Sequence, residues 1–141
     1  MNEQRLSVYN RSHAEYCCSV GYSNHDQFVQ RVRIFLEDVI VPEYGISGYA
    51  AGSSDWLVPI AVAEIVAMHE YSDEIAEMLA SATTIAPPLA KSLMRPLVVS
   101  WLNSPGHFGG LIDRVYNVSG LGVAFDPESK LACAVQIFLS I

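Results

Sequence analysis

Ser119–Leu139 reads SGLGVAFDPESKLACAVQIFL, two β-type runs joined by a turn. Ser119–Phe125 and Leu131–Leu139 are apolar and rich in residues that suit a pleated surface. Asp126-Pro127-Glu128-Ser129 between them has the chemistry of a hairpin turn. Gly120 and Gly122 mark a place where another backbone packs closely on the strand rather than a phosphate loop. Immediately upstream, Ser104-Pro105-Gly106 and Gly109-Gly110 are turn clusters that separate this hairpin from what precedes it.

The first part of the chain is helical in pattern. Glu3–Cys18 is compatible with a helix that Gly21 stops. Asn24 or Asp26 is placed to cap a second helix, Gln27–Glu37, with Phe28, Val29, Val32, Phe35 and Leu36 on one apolar face. Val41–Asp55 is rich in glycine and serine and reads as a long surface loop. Ile60–Met68 is apolar and suits a strand or a helix equally. Ser72–Ala82 opens with a serine cap and two early acids, the favourable sign for the helix dipole. Pro87 and Pro88 begin a last helix, which Pro96 is expected to bend. Helices followed by a terminal hairpin give an α+β fold with an antiparallel sheet covered by helices.

The 141 residues fit a single domain, 1–141. With 51% hydrophobic residues, that length builds a core without help from a metal or disulfide. The net charge of −7, with no clustered basic stripe, argues against nucleic acid or an anionic membrane as partner. Met1–Arg11 has no apolar core of a signal peptide, which by itself points to the cytoplasm for a complete chain. The longest apolar run, Trp56–Met68, is interrupted by Pro59 and Glu64 and falls well short of the ~20 residues of a membrane helix. Cys17, Cys18 and Cys133 cannot all pair within the chain and read as reduced, buried small hydrophobes.

Val99–Phe125 (VSWLNSPGHFGGLIDRVYNVSGLGVAF) with Ala134–Phe138 (AVQIF) resembles the core signature of the CAP superfamily, the cysteine-rich secretory protein, antigen 5 and pathogenesis-related 1 proteins, in a short bacterial style. The shared pattern is a tryptophan, a Ser-Pro-Gly-His turn, a short helix, Gly-x-Gly-Val and a strand ending Gln-x-Phe. His13-Ala-Glu-Tyr16 and His25-Asp-Gln-Phe28 are similar to the family's second helix and first cleft histidine, and its usual first helix has no counterpart here. The resemblance implies a three-layer α-β-α sandwich with a cleft holding two histidines and one or two glutamates. His25 and His107 match the histidines; Glu64, in Ala63-Glu-Ile-Val-Ala67, is the better match for the glutamate and Glu77 the alternative. A further family glutamate falls on Ser104, and Phe108-Gly-Gly110 stands where Arg-x-Asn is usual. Members are mostly secreted, and some bind sterols, other lipids or partner proteins.

Two imidazoles and a carboxylate could form a zinc shell with one open position for water, the constellation of a metal-dependent hydrolase. The same three groups equally make a structural network in which a carboxylate orients partly buried imidazoles. Ser104 and His107 share one tight turn without a Gly-x-Ser-x-Gly elbow, and nothing near Cys17 or Cys18 lowers a thiol pKa. His69 beside Glu70 reads as a solvated pair, and His13 as a helix-surface or core residue. The expectation is a non-enzymatic binding scaffold for a small hydrophobic ligand, a lipid or a protein, with weak zinc binding at His25 and His107. The competing expectation is the hydrolase.

Overall fold

The computed structural model describes residues 3–40, 42, 61–81, 84, 86–104, 109 and 115–140. Helix α1 (Gln4–Val20) is followed by α2 (Phe28–Phe35), which widens into a π-helical turn over Leu36–Ile40. Strand β1 (Ala61–Glu70), helices α3 (Asp73–Ser81) and α4 (Pro87–Leu102), and strands β2 (Val118–Asp126) and β3 (Leu131–Ser140) complete the order. The protein is α+β with one antiparallel sheet of order β1-β3-β2. The segment that suited either element is therefore a strand, fixed by its partner. Ala61 faces Ser140 and Glu70 faces Leu131 along ten paired positions. Val41–Asp55 apart from Pro42, together with Trp56 and His107, lies outside the described residues.

β3 is the central strand and is buried on both faces. Its odd positions, Cys133, Val135, Ile137 and Leu139, pack with Leu6, Ala14 and Cys17 of α1 and with Val32 and Phe35 of α2. Its even positions, Ala132, Ala134 and Phe138, pack with Leu97 and Trp101 of α4. A strand in that setting must be apolar at nearly every position, which is what LACAVQIFL supplies. The β2–β3 turn closes with Lys130 in the left-handed region at φ 62°. The Asp126 carboxylate accepts from Ser129 Oγ at 2.7 Å and Glu128 N at 3.2 Å. The Ser129 bond, with backbone N–H donors beside it, holds its pKa below the usual carboxylate range.

α1 lies directly on β2. A Cβ at Gly122 would stand 2.1 Å from Arg11 N, and one at Gly120 would stand 2.7 Å from Leu6 Cβ. At Gly122 the obstruction is helix backbone, which no side-chain rotation relieves. The contact is locked by buried Asn10, whose Nδ2 donates to Gly120 O at 2.7 Å, and by Glu3 N, which donates to Ser119 O at 2.7 Å. The buried stripe Leu6, Asn10, His13, Ala14, Cys17, Cys18 follows helical spacing, and Gly21 at φ 81° ends the helix by donating to Cys17 O.

Two sequence expectations are corrected. Neither Asn24 nor Asp26 caps α2; the preceding residue is Gln27 in the left-handed region at φ 55°, with no side-chain cap. Asn24 Oδ1 instead accepts from Asp26 N at 3.1 Å, closing a local turn. α4 runs through Pro96 as one helix from Pro87 to Leu102. His69 is not a solvated partner of Glu70: its ring stands edge-on to Tyr71 at 4.8 Å between centroids. The three cysteines are free and buried, and among the described residues no helix is long and apolar enough to cross a membrane.

Gly122→Ala should destabilise the protein by about 3 kcal/mol or more, above the ordinary cost of overpacking, because α1 must lift off β2. Leu121→Ala, at a partly exposed neighbour, should cost less than about 1 kcal/mol in the same urea titrations.

Candidate functional site

Among the apolar positions Ala61–Met68 of β1, Glu64 is the single charge. Strand alternation puts it with Val62 and Val66 on the face covered by α1 and α2, and its side chain is 1% exposed. A carboxylate so placed must be compensated by charge and hydrogen bonds. Arg31 of α2 supplies both, with Nη1 donating to Oε2 at 2.5 Å and Nη2 donating to Oε1 at 2.9 Å. His25 Nδ1 donates to the same Oε1 at 2.8 Å. Arg31 Nε donates to Asp26 O at 3.0 Å, and the guanidinium lies 6.0 Å from the Phe28 ring centre. One side chain thereby fastens the turn before α2 to the sheet.

The structure brings His25 and Glu64 together. Glu77 is elsewhere, exposed on α3 beside Asp73, Glu128 and Lys130. A carboxylate paired with a guanidinium only accepts, so His25 Nδ1 carries a proton and Nε2 is the ring nitrogen not engaged by Glu64. That ring is 53% exposed. The arrangement orients a half-exposed imidazole from behind, as carboxylates do for histidines that act as ligands or bases. It does not fit a zinc shell in which Glu64 is itself a ligand. Both Glu64 oxygens are already engaged, and taking one for a metal would disrupt the Arg31 fork. Among the described residues no group of three His, Cys, Asp or Glu is placed to hold a metal ion.

A cleft of about 490 Å³ opens next to this network, lined by Ser12, His13, Tyr16, Asp26, Gln27 and Arg31. His13 is buried in its wall and donates from Nε2 to Asn24 O at 2.8 Å. Burial pushes its pKa down and keeps the ring neutral, outweighing the Asn24 bond that pulls the other way. Tyr16 OH donates to Asp26 Oδ2 at 3.2 Å, and that bond to a carboxylate raises the phenol pKa. The Cys17 Sγ lies 3.6 Å from His13 Nε2, not near His25. Burial pushes the Cys18 and Cys133 thiols up, so neither is an activated nucleophile.

Sequence reasoning passed over Arg31 and Asn10. Arg31 stands 33 positions from Glu64, beyond any local spacing rule, and the only available signal was an isolated acid inside an apolar run. Such an acid demands a cation, but the sequence does not say which. With this geometry in hand, comparison with known proteins adds no name: no protein-family model, no curated protein and no solved structure matches the chain.

Arg31→Ala should cost about 3–5 kcal/mol, since it strands a buried carboxylate. Arg31→Lys should recover only part of that loss, because an ammonium cannot reproduce the two-pronged geometry. Urea titration of both variants checks this. His13 gives a separate signature. Its folded pKa lies below the unfolded value of 6.5, so the unfolded state binds more protons as the pH falls through 6.5. Unfolding free energy should therefore decline from pH 8 to pH 5, with a shallower decline in His13→Gln.

Proposed function

We propose that this chain is a CAP-like domain, a three-layer α-β-α sandwich that works as a non-enzymatic, extracellular-type binding scaffold around a His/Glu cleft. The observation that carries this reading is the engagement of Glu64 by three donors. Both of its oxygens accept from Arg31 or His25, so a substrate or metal drawn to the carboxylate would compete with the buried ion pair. The carboxylate thus holds the cleft in shape. Two features support it: apolar contacts of α1 and α2 on one face of the sheet with α4 on the other, and the pairing of His25 with Glu64. The cleft mixes an aromatic wall at Tyr16 with polar groups from Asp26, Gln27 and Arg31, a lining suited to recognising a ligand or a partner's side chains.

The alternative is a metal-dependent hydrolase using His25, Glu64 and His107. The free Nε2 of His25 favours it, because that nitrogen is the one a metal would take. The scaffold reading expects zinc to bind weakly, through the two histidines without Glu64.

Thermal unfolding in a zinc titration separates the two. Ligation to the native state raises the melting temperature in proportion to affinity. The expected result is a shift only at high zinc that vanishes in His25→Ala and in His107→Ala. A tight stoichiometric site lost in either variant, with hydrolysis of an ester or peptide that zinc restores, would replace the scaffold with the hydrolase. A shift that survives both substitutions would assign the metal to other groups, with the half-buried His69 and the free thiols as first suspects.

A further inference from the structure

On the opposite side of the sheet from Glu64, an apolar pocket of about 220 Å³, partly open to solvent, lies between α3, α4 and the sheet. Its floor is Val123, Phe125 and Ala132 of β2 and β3, and its walls include Leu93 and Leu97 of α4. The Tyr71 side chain also borders it, with its hydroxyl proton donated to Leu93 O. From these observations we infer that the cavity is a binding site for a compact, wholly apolar ligand or ligand moiety, a one-ring aromatic or a short alkyl chain.

Three considerations support this. Water needs two to four polar partners to settle in a cavity, and the described lining offers at most the Tyr71 oxygen, so water gains little by entering. An apolar void of this size forfeits dispersion contacts along its whole lining unless something apolar fills it. An engineered cavity of roughly 150 Å³ with comparable walls stays dry and takes up benzene, and 220 Å³ leaves room for that ring and an alkyl substituent. A charged or hydrogen-bonding group would be left unpaired inside, which sets the chemical class. Leu79 of α3 and Met94 of α4 line it and are half-buried, and the unbranched Met94 side chain can adapt to an occupant. The inference stands on this cavity and is independent of the family reading and of the His25 cleft.

Toluene is the probe, followed by methyl-resolved NMR and by the melting temperature. Binding should shift the methyl signals of Leu79, Leu93, Leu97, Met94 and Val123 in a saturable way, leave the His25 ring signals in place, and raise the melting temperature. Ala90→Phe, which fills the cavity from α4, should remove the saturable shifts while keeping a folded spectrum. Leu79→Phe fills it from α3 and serves if the first variant does not fold. Absence of saturable shifts in the wild-type protein overturns the proposal, as do shifts that persist in the filled variants. Shifts centred on His13, Tyr16 and His25 would also overturn it, while leaving the scaffold reading intact.

Discussion

A single ionised side chain placed inside the sheet's covered face sets much of what surrounds it. Glu64 sits in a strand whose other residues from Ala61 to Met68 are uncharged, under two helices, with a side chain almost without solvent contact. Leaving that carboxylate unpaired would cost several kcal/mol, a large share of the total stability of a domain this size. The chain meets the requirement with an arginine from α2 and a histidine from the turn before it. Both come from one short stretch, His25–Arg31, so the position of that stretch against β1 is fixed by electrostatics as much as by the apolar contacts of Val32 and Phe35. The left-handed residue Gln27 belongs to the same arrangement, because the backbone must reverse there for His25 and Arg31 to reach one carboxylate.

A second constraint acts from the other edge of the sheet. The bare backbone at Gly120 and Gly122 lets α1 approach β2 until helix and strand backbones touch. That proximity buries whatever α1 carries on its inner stripe, including Asn10 and His13, and both must then find partners. Asn10 takes Gly120 O, and His13 takes Asn24 O. The second bond joins the two constraints: the helix that the glycines admit holds, through His13, the same turn that Arg31 ties to β1. Close packing at β2 and charge compensation at β1 therefore converge on residues Asn24 to Asp26, the segment that carries His25.

The elements legible in the sequence are those specified by local chemistry. The terminal hairpin, the end of α1 at Gly21, the start of α3 after Ser72 and the close approach at Gly120 and Gly122 each rest on residues adjacent in the chain. β1 was not legible, because an apolar run of that length suits either element until a partner strand is known, and its partner lies some seventy positions away. The start of α2 was misread for a related reason. Asn24 and Asp26 are good caps in isolation, but Asn24 closes its own turn and the Asp26 carbonyl is held by Arg31. At the site, the pairing of His25 with Glu64 was reached through resemblance, whereas the Arg31 fork was not. A pattern of matched positions identifies which groups meet but not how many of their lone pairs are already taken.

That last distinction bears on what the cleft can do. A carboxylate acts as base, nucleophile or ligand through lone pairs that are free or can be freed cheaply. Glu64 has two oxygens shared among three donors, in a setting where breaking any one exposes a buried charge. Its effect is transmitted instead through His25, whose proton it holds on Nδ1. That ring is half-exposed, and Cys17, the thiol beside the cleft, is buried against a different histidine. Groups in the described cleft are thus ordered by their hydrogen bonds to one another. Such a network defines a shape and a pattern of donors and acceptors with little freedom to rearrange, which is the physical requirement for selective binding.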